Sequence, residues 1–288
     1  IFGGCTGITS IPPNLFDFNI KVNNFAFAFN TTSITLIPTG LFINNPLVTT
    51  FDGTFQTCSK LLNIPSDIFS GNTKVNSFVT TFRDCDLLTG ITSGIFNNCT
   101  GVTTFEQTFY SCNNLTLIPS DLFRYNSGVT SFNYTFGFCA SLISIPIGLF
   151  DHCSGVTTFS NTFNNCVLIS SIPTDLFKFN VNVLDFNNTF QNCNLITSIP
   201  VDLFRYSTGV TSFNSTFTYC TSLTGITNIF KYNSKVTTFL GVFSYCSSLI
   251  IIPDELFRYN SGITSFNSSF AFCTNLQSTG ITTDIFRY

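Results

Sequence analysis

The hydrophobic and polar positions of this chain repeat with a period of about 27 residues. One unit reads IPxDLFxxNxxVTxFxxTFxxCxxLTx, with apolar residues at fixed positions and mainly Thr, Ser and Asn between them. The Phe of the "LF" pair marks the period, since Phe96, Phe123 and Phe150 follow one another at this interval. A period of this length and regularity is typical of a solenoid, in which each coil stacks on its neighbours.

About ten such units, of 26 or 27 residues, account for residues 1–288 without a linker. The sequence therefore predicts a single solenoid domain. Its first residues, IFGGCTG, match the end of a unit, and its last, TTDIFRY, match the middle of one. We expect a domain that starts and ends mid-repeat and forms part of a longer array.

Each unit contains two segments typical of short strands and two typical of short helical turns. "VTSF" and "LTSIP" carry β-branched and aromatic residues, which favour strands. "PxDLFxxN" begins with Pro and has an anion in its first turn, which favours one turn of helix. "TFxxC" is predicted to form a second tight helical turn.

The motifs FxxCxxLTxIP and VTxFxxTFxxC resemble the BspA-like leucine-rich repeats, and most closely the bacterial surface protein 26-residue repeat. The resemblance covers the whole chain, although this sequence has Thr-Phe where that family often has Met-Phe. It implies a leucine-rich-repeat-like β-solenoid with a right-handed coil. It also implies a surface-exposed protein linked to adhesion and protein binding, with no common enzymatic activity.

The composition argues against several classes of function. Charged residues make up only 9% of the chain and the net charge is −3, so the basic surface that nucleic-acid binding needs is missing from the sequence. No apolar run approaches the ~18–20 residues of a membrane span. The chain has one His, and its best-aligned acids form a single row at one per coil. We therefore expect no enzyme and no cofactor.

Cysteine occupies one row, at the C of FxxC, in ten of the units. Side chains at equivalent positions of stacked coils point the same way, whereas the two Cβ atoms of a disulfide must turn toward each other. There is no CxxC pair, and the single His argues against a zinc site. We predict a buried thiol ladder rather than disulfides or a metal site. Its members include Cys112, Cys139, Cys166, Cys193 and Cys220.

A second row lies three residues after the "LF" Phe and is mostly Asn. Stacked Asn side chains can bond to backbone groups of their own turn and to the next Asn, so we predict a structural ladder. Cys99, Cys153 and Ser207 take this position in three coils and are small enough to substitute. The ladder includes Asn126, Asn180, Asn233 and Asn260.

A cation followed by an aromatic residue comes directly after the "LF" or "IF" Phe in several coils. Such a row favours contact with an anionic or sugar ligand. The alternative is that each cation pairs with an acid three residues earlier; only Lys231 lacks that acid, having Asn228 instead. We name the four consecutive pairs the cation–aromatic row: Lys178–Phe179, Arg205–Tyr206, Lys231–Tyr232 and Arg258–Tyr259. Arg124–Tyr125 and Arg287–Tyr288 have the same pattern outside it.

These observations predict a non-enzymatic rod, extracellular or on a cell surface, that mediates adhesion or receptor and ligand binding. Its partner would be a protein or glycan on a cell surface, contacted through the cation–aromatic row. The alternative is a structural subunit or segment of an extracellular filament, a phage fibre or another virion appendage. Copies of the chain would then stack end to end.

Overall fold

Isolated β-bridges between successive coils, rather than long strands or helices, define this fold. The computed structural model describes residues 1–277, 281 and 285, and these contain no continuous helix or strand. Each coil instead pairs with the next through one parallel bridge at the residue before the VTxF Phe. The bridged residues are Asn24, Thr50, Ser77, Thr104, Ser131, Thr158, Asp185, Ser212, Thr238 and Ser265. The Phe of the last "IF" pair, Phe286, and the pair Arg287–Tyr288 lie outside the described residues.

The predicted strands are shorter than expected because turns enclose them on both sides. Around the Thr104–Ser131 bridge, the Val102 N–H closes a turn onto Cys99 O at 3.3 Å, and the Thr108 N–H closes another onto Phe105 O at 3.1 Å. Only Thr103 and Thr104 lie between these turns, so the pairing cannot extend further along the chain. The "LTxIP" segments form bridges at Gly90–Leu117 and Gly225–Ile251.

The "PxDLFxxN" segment forms overlapping turns closed by bonds from residue i+3 to residue i. In one coil the N–H of Arg124 donates to Asp121 O at 3.1 Å, and the N–H of Asn126 donates to Phe123 O at 3.1 Å. These bonds are those of a short helical turn and not of an α-helix, whose bonds join residues i and i+4.

The prediction of a helical turn at "TFxxC" is wrong. Gln107 and Ser111 have φ of 54° and 58°, and equivalent residues in the other coils are also left-handed. A helical turn requires negative φ throughout. The chain instead makes two successive turns whose third residue is left-handed, as in a type II turn.

This left-handed alternation sends every second N–H toward the following coil. Up to four backbone bonds then join a pair of coils along this segment. In one pair they are Phe105 N–H to Ser131 O (3.3 Å), Gln107 N–H to Asn133 O (2.9 Å), Phe109 N–H to Thr135 O (2.9 Å) and Ser111 N–H to Gly137 O (2.8 Å).

The core consists of three columns of Phe rings that run along the solenoid. Within a column the rings are nearly parallel: Phe78 and Phe105 have centroids 5.8 Å apart with an interplanar angle of 0°. Between columns they are tilted, as for Phe96 and Phe105 at 4.7 Å and 51°. Phe109 belongs to the third column, 5.6 Å from Phe82. The columns account for most of the 37 Phe residues and bury them completely in the central coils.

Candidate ligand-contact surface

The Asn ladder joins each coil to the backbone of the coil before it. Asn126 donates through Nδ2 to Phe96 O at 3.4 Å and to Cys99 O at 2.9 Å. The expected bonds to the residue's own turn and to the next Asn side chain are replaced by these bonds, because the amide points toward the preceding coil. Asn180, Asn233 and Asn260 make the equivalent pairs of bonds.

Each ladder amide donates hydrogen bonds through its nitrogen, while its oxygen accepts none from the described part of the chain. The Oδ1 atoms of Asn126 and Asn180 are buried and have no hydrogen-bond partner among the described residues. Where the row changes residue, the donor is kept: Ser207 Oγ donates to Asn180 O at 3.1 Å, and Cys153 Sγ donates to Asn126 O at 3.6 Å. A thiol or hydroxyl can therefore replace the amide.

The thiol ladder is a row of free, buried cysteines. Cys139 Sγ donates to Phe109 O of the preceding coil at 3.1 Å. Its neighbours Cys112, Cys166, Cys193 and Cys220 make the same bond at 3.1–3.3 Å. Burial raises the pKa of each of these thiols, so they stay protonated. The described residues contain no group of three or more His, Cys, Asp or Glu side chains that could hold a metal ion.

The cation–aromatic row is continuous across the three coils from Arg205 to Tyr259. Arg205 Cζ lies 5.7 Å from the Tyr206 ring centroid and 5.2 Å from that of Tyr232 in the next coil. Lys231 Nζ lies 5.4 Å from the Tyr232 centroid and 5.9 Å from that of Tyr259. Tyr232 and Tyr259 are therefore each shared by two cations. The remaining pairs, Lys178–Phe179 at 5.6 Å and Arg258–Tyr259 at 5.8 Å, extend the row at both ends.

Acids accompany most of these cations, as the alternative interpretation of the sequence expects. Lys178 Nζ lies 3.9 Å from Asp175 Oδ2. In the next coil Arg205 Nη1 lies 3.5 Å from Asp202 Oδ2. Arg258 makes the same kind of contact with Glu255. These pairs are exposed, so they add little stability. Within the described part of the chain Lys231 has no carboxylate within 4.0 Å.

The rings of the row are accessible although their cations are paired. Phe179, Tyr206 and Tyr259 are 40–46% exposed, and Tyr232 is half-buried between its two cations. Outside the row, Arg124 lies 5.7 Å from the Tyr125 ring, and its predicted partner Asp121 accepts a bond from Ser93 Oγ at 2.6 Å. Arg287 and Tyr288 lie outside the described residues. The row is thus a surface of exposed rings held in place by charge contacts.

A second aromatic feature was not predicted from the sequence. Tyr219, Tyr245 and Phe272 form a parallel stack with centroid distances of 4.2 and 4.4 Å. All three have positive φ, near 61–63°, a conformation that is costly for aromatic residues. The signal was present in the sequence, since the residue before the Cys is aromatic in three consecutive coils. Recognising it required knowing that this position points outward.

Comparisons with solved structures identify the fold class. A chain of the Drosophila Toll–Spatzle complex aligns with 89% of this chain at 18% identity and a TM-score of 0.58. The glycosylated form of that complex aligns with 96% of this chain at 17% identity and a TM-score of 0.54. A leucine-rich cell surface protein from Faecalibacterium prausnitzii aligns with 85% of this chain and 76% of its own, at 18% identity, and its TM-score of 0.34 is too low to add to the argument.

The chain has the fold of a leucine-rich-repeat solenoid, which confirms the predicted fold class. It spans about a third of the chains from the Toll–Spatzle complexes, 34% and 32%. No family model matches the sequence, and no curated protein matches it closely enough to count as a relative. Among the described residues, no helix has the length and apolar character needed to cross a membrane.

The Asn ladder predicts different costs for two substitutions at one position. Asn126→Ala removes one of two donors from each of the carbonyls of Phe96 and Cys99, which keep the backbone N–H groups of Cys99 and Val102. At ~0.5–1.5 kcal/mol per lost bond, we expect a loss of about 1–3 kcal/mol in unfolding free energy. Asn126→Cys keeps a donor, as Cys99 does toward Asn72 O at 3.5 Å, and should lose less. Urea unfolding followed by circular dichroism measures both. Equal losses would contradict a donor role for this row.

Burial of the cysteines, in the thiol ladder and at Cys99 and Cys153 of the Asn ladder, predicts that one of twelve reacts in the folded protein. Cys5 is exposed and the other eleven are buried. Burial raises the pKa of Cys99 and of Cys153 to about 12, so at pH 8 neither carries the reactive thiolate. Iodoacetamide labelling read by mass spectrometry should give one adduct, and twelve after unfolding in urea. Several rapid adducts in the folded state would show that the coils open.

Proposed function

We propose that this protein is a non-enzymatic rod, extracellular or on a cell surface, that binds a ligand through the cation–aromatic row. The observation that carries the proposal is the sharing of rings between coils: Tyr232 lies between Arg205 and Lys231, and Tyr259 between Lys231 and Arg258. Three consecutive coils, from Arg205 to Tyr259, therefore present one continuous surface rather than three separate pairs, and Lys178–Phe179 lies in the coil before them.

The residue types of the row suit protein recognition. Tyr, Phe and Arg are enriched at the centres of interfaces, because they offer large contact area and fixed hydrogen-bonding geometry. The backbone next to the row is also held in place. Asn180, Ser207 and Asn233, two positions beyond the cations, are fully buried and bond to the preceding coil. Little backbone freedom is left to lose on binding, which favours affinity.

The comparisons support a binding role in a more general way. The Toll chain with the same fold was solved in complex with Spatzle, so a solenoid of this class can present a surface to a protein ligand. The non-enzymatic part of the proposal is supported by the pairing of the row's acids. Asp175, Asp202 and Glu255 each contact a cation, which leaves them poorly suited to act as general acid and base. End-to-end assembly into a filament or phage fibre stays a prediction.

The test is a double substitution within the row. Arg205→Ala with Tyr206→Ala removes a cation and a ring from its centre, and we expect at least about a tenfold loss of affinity. Binding would be measured on immobilised extracellular-matrix proteins and on a glycan array. The matched control is Arg124→Ala with Tyr125→Ala, the same pair of residue types outside the row, which should change affinity less than about twofold.

Circular dichroism should show both double variants to be folded, since all four side chains are exposed. Undiminished binding by the Arg205 and Tyr206 variant would overturn the assignment of the row as the contact surface. Equal losses in the two double variants would overturn it as well, because any exposed cation–aromatic pair would then serve.

A further inference from the structure

The outward aromatic stack occupies backbone positions that suit another residue type. The residue before the Cys has positive φ in successive coils, and in two of them it is Asn165 and Asn192, both at 59°. Asn adopts this left-handed conformation more readily than most residues with a side chain, whereas it is costly for an aromatic residue. Tyr219 and Tyr245 nevertheless hold the position in the next two coils, at 63° and 61°. Backbone preference therefore does not explain why rings stand there.

The two tyrosine rings lie face to face. Their centroids are 4.2 Å apart and their planes are 11° from parallel, and Phe272 covers the other face of Tyr245 at 4.4 Å. Desolvation and hydrogen bonding with the Tyr245 hydroxyl raise the pKa of Tyr219, so the two phenol groups point the same way and touch. Tyr219 is 37% exposed, which leaves the pair open to an oxidant in solution. The ortho carbons of the two phenols are thus held side by side.

The coils that carry these two rings lack a contact that joins other neighbouring coils. Thr216 Oγ1 donates to Phe186 O of the preceding coil at 2.9 Å, and Thr or Ser makes the equivalent bond in most other coils. In the coil of Tyr245 this position is Val242, which has no hydroxyl group to donate. The coils of Tyr219 and Tyr245 therefore lack this link, and the stacked rings lie where it is missing.

We propose that Tyr219 and Tyr245 are an oxidative cross-linking site, at which a dityrosine bond joins the two coils. The oxidant is hydrogen peroxide acting through a haem peroxidase. Each phenol gives up one electron and one proton, and the two tyrosyl radicals form a carbon–carbon bond between their ortho carbons. The hydrogen on each of these carbons then moves as a proton to the phenol oxygen, which restores both aromatic rings. One peroxide molecule is reduced to two water molecules for each bond formed.

The surroundings of the pair restrict the reaction to one bond. Phe272 extends the stack but has no phenol group, so coupling cannot continue along it. In the cation–aromatic row, Arg205 Cζ lies 5.7 Å from the ring centroid of Tyr206 and 5.2 Å from that of Tyr232. These rings pack against a cation, whereas Tyr219 and Tyr245 pack against each other. We therefore expect one intramolecular dityrosine from the tyrosines that the structure describes.

The chain contains a matched pair of tyrosines that is not stacked. Tyr110 and Tyr134 also lie in neighbouring coils, but their centroids are 5.5 Å apart and their planes meet at 74°. The edge of one ring then points at the other, and Arg83 Cζ lies 4.7 Å from the Tyr110 centroid. A substitution in this pair thus controls for the loss of one tyrosine without the loss of stacked phenols.

The test treats the purified full chain at low concentration with a haem peroxidase and hydrogen peroxide. Dityrosine is followed by its fluorescence, and mass spectrometry of the digested monomer locates the bond through the loss of two hydrogen atoms. We expect the Tyr219–Tyr245 product to dominate. Tyr245→Phe should remove most of the dityrosine, whereas Tyr134→Phe should leave it unchanged. Tyr245→Phe keeps a ring in the stack, as Phe272 does, so it should fold like the parent.

Cross-linking should also raise the urea concentration at which the parent unfolds, because the bond closes a loop in the unfolded chain as a disulfide does. Treated Tyr245→Phe should show no such rise. The proposal is overturned if the treated monomer contains no dityrosine, if Tyr245→Phe keeps the parent's yield, or if Tyr110–Tyr134 is coupled equally. A yield per chain that falls on dilution would overturn it too, since the bond would then form between chains. Ligand binding by the cation–aromatic row is a separate property, and none of these results decides it.

Discussion

Contact between successive coils is the constraint on which this whole structure depends. A coil has no continuous helix or strand of its own in the described residues, and its Phe rings have no partner ring in parallel orientation except in the coils above and below. Backbone bonds, ladder amides and thiols all run from one coil to the next. The buried residues of each coil therefore serve mainly to bind the neighbouring coils. Because every coil makes the same contacts, the sequence repeats closely.

The left-handed turns show how strongly stacking dominates local preference. Thr57 has φ of 58° and Phe138 has φ of 62°, and neither residue type favours this conformation. Each such residue costs of order 1–3 kcal/mol. The conformation persists because it aligns the N–H groups with the carbonyls of the next coil, so that each strained residue is offset by bonds along the whole segment. Function is then left to the outward positions, which the interior does not restrict.

The sequence predicts the interior well and the turns poorly. The period, the Phe rows and the Cys and Asn rows are visible because each recurs at one fixed position, and repetition multiplies a weak signal. The turns at Gln107 and Ser111 were missed because neither residue is Gly, and the residue type gives no sign of positive φ. The ring sharing between Arg205 and Tyr232 joins residues in different coils, so it depends on the spacing of coils in three dimensions.

The most direct test of the central claim is to delete one coil. Removing residues 127–153 joins Asn126 to Ser154 in the register that the repeat already uses, whereas removing residues 127–139 breaks that register. If stacking of equivalent coils determines the fold, the first variant should keep the circular dichroism spectrum of the parent and unfold cooperatively. The second should lose cooperative unfolding. Loss of the fold in both variants would contradict the account, since it would mean that the coils are not interchangeable units.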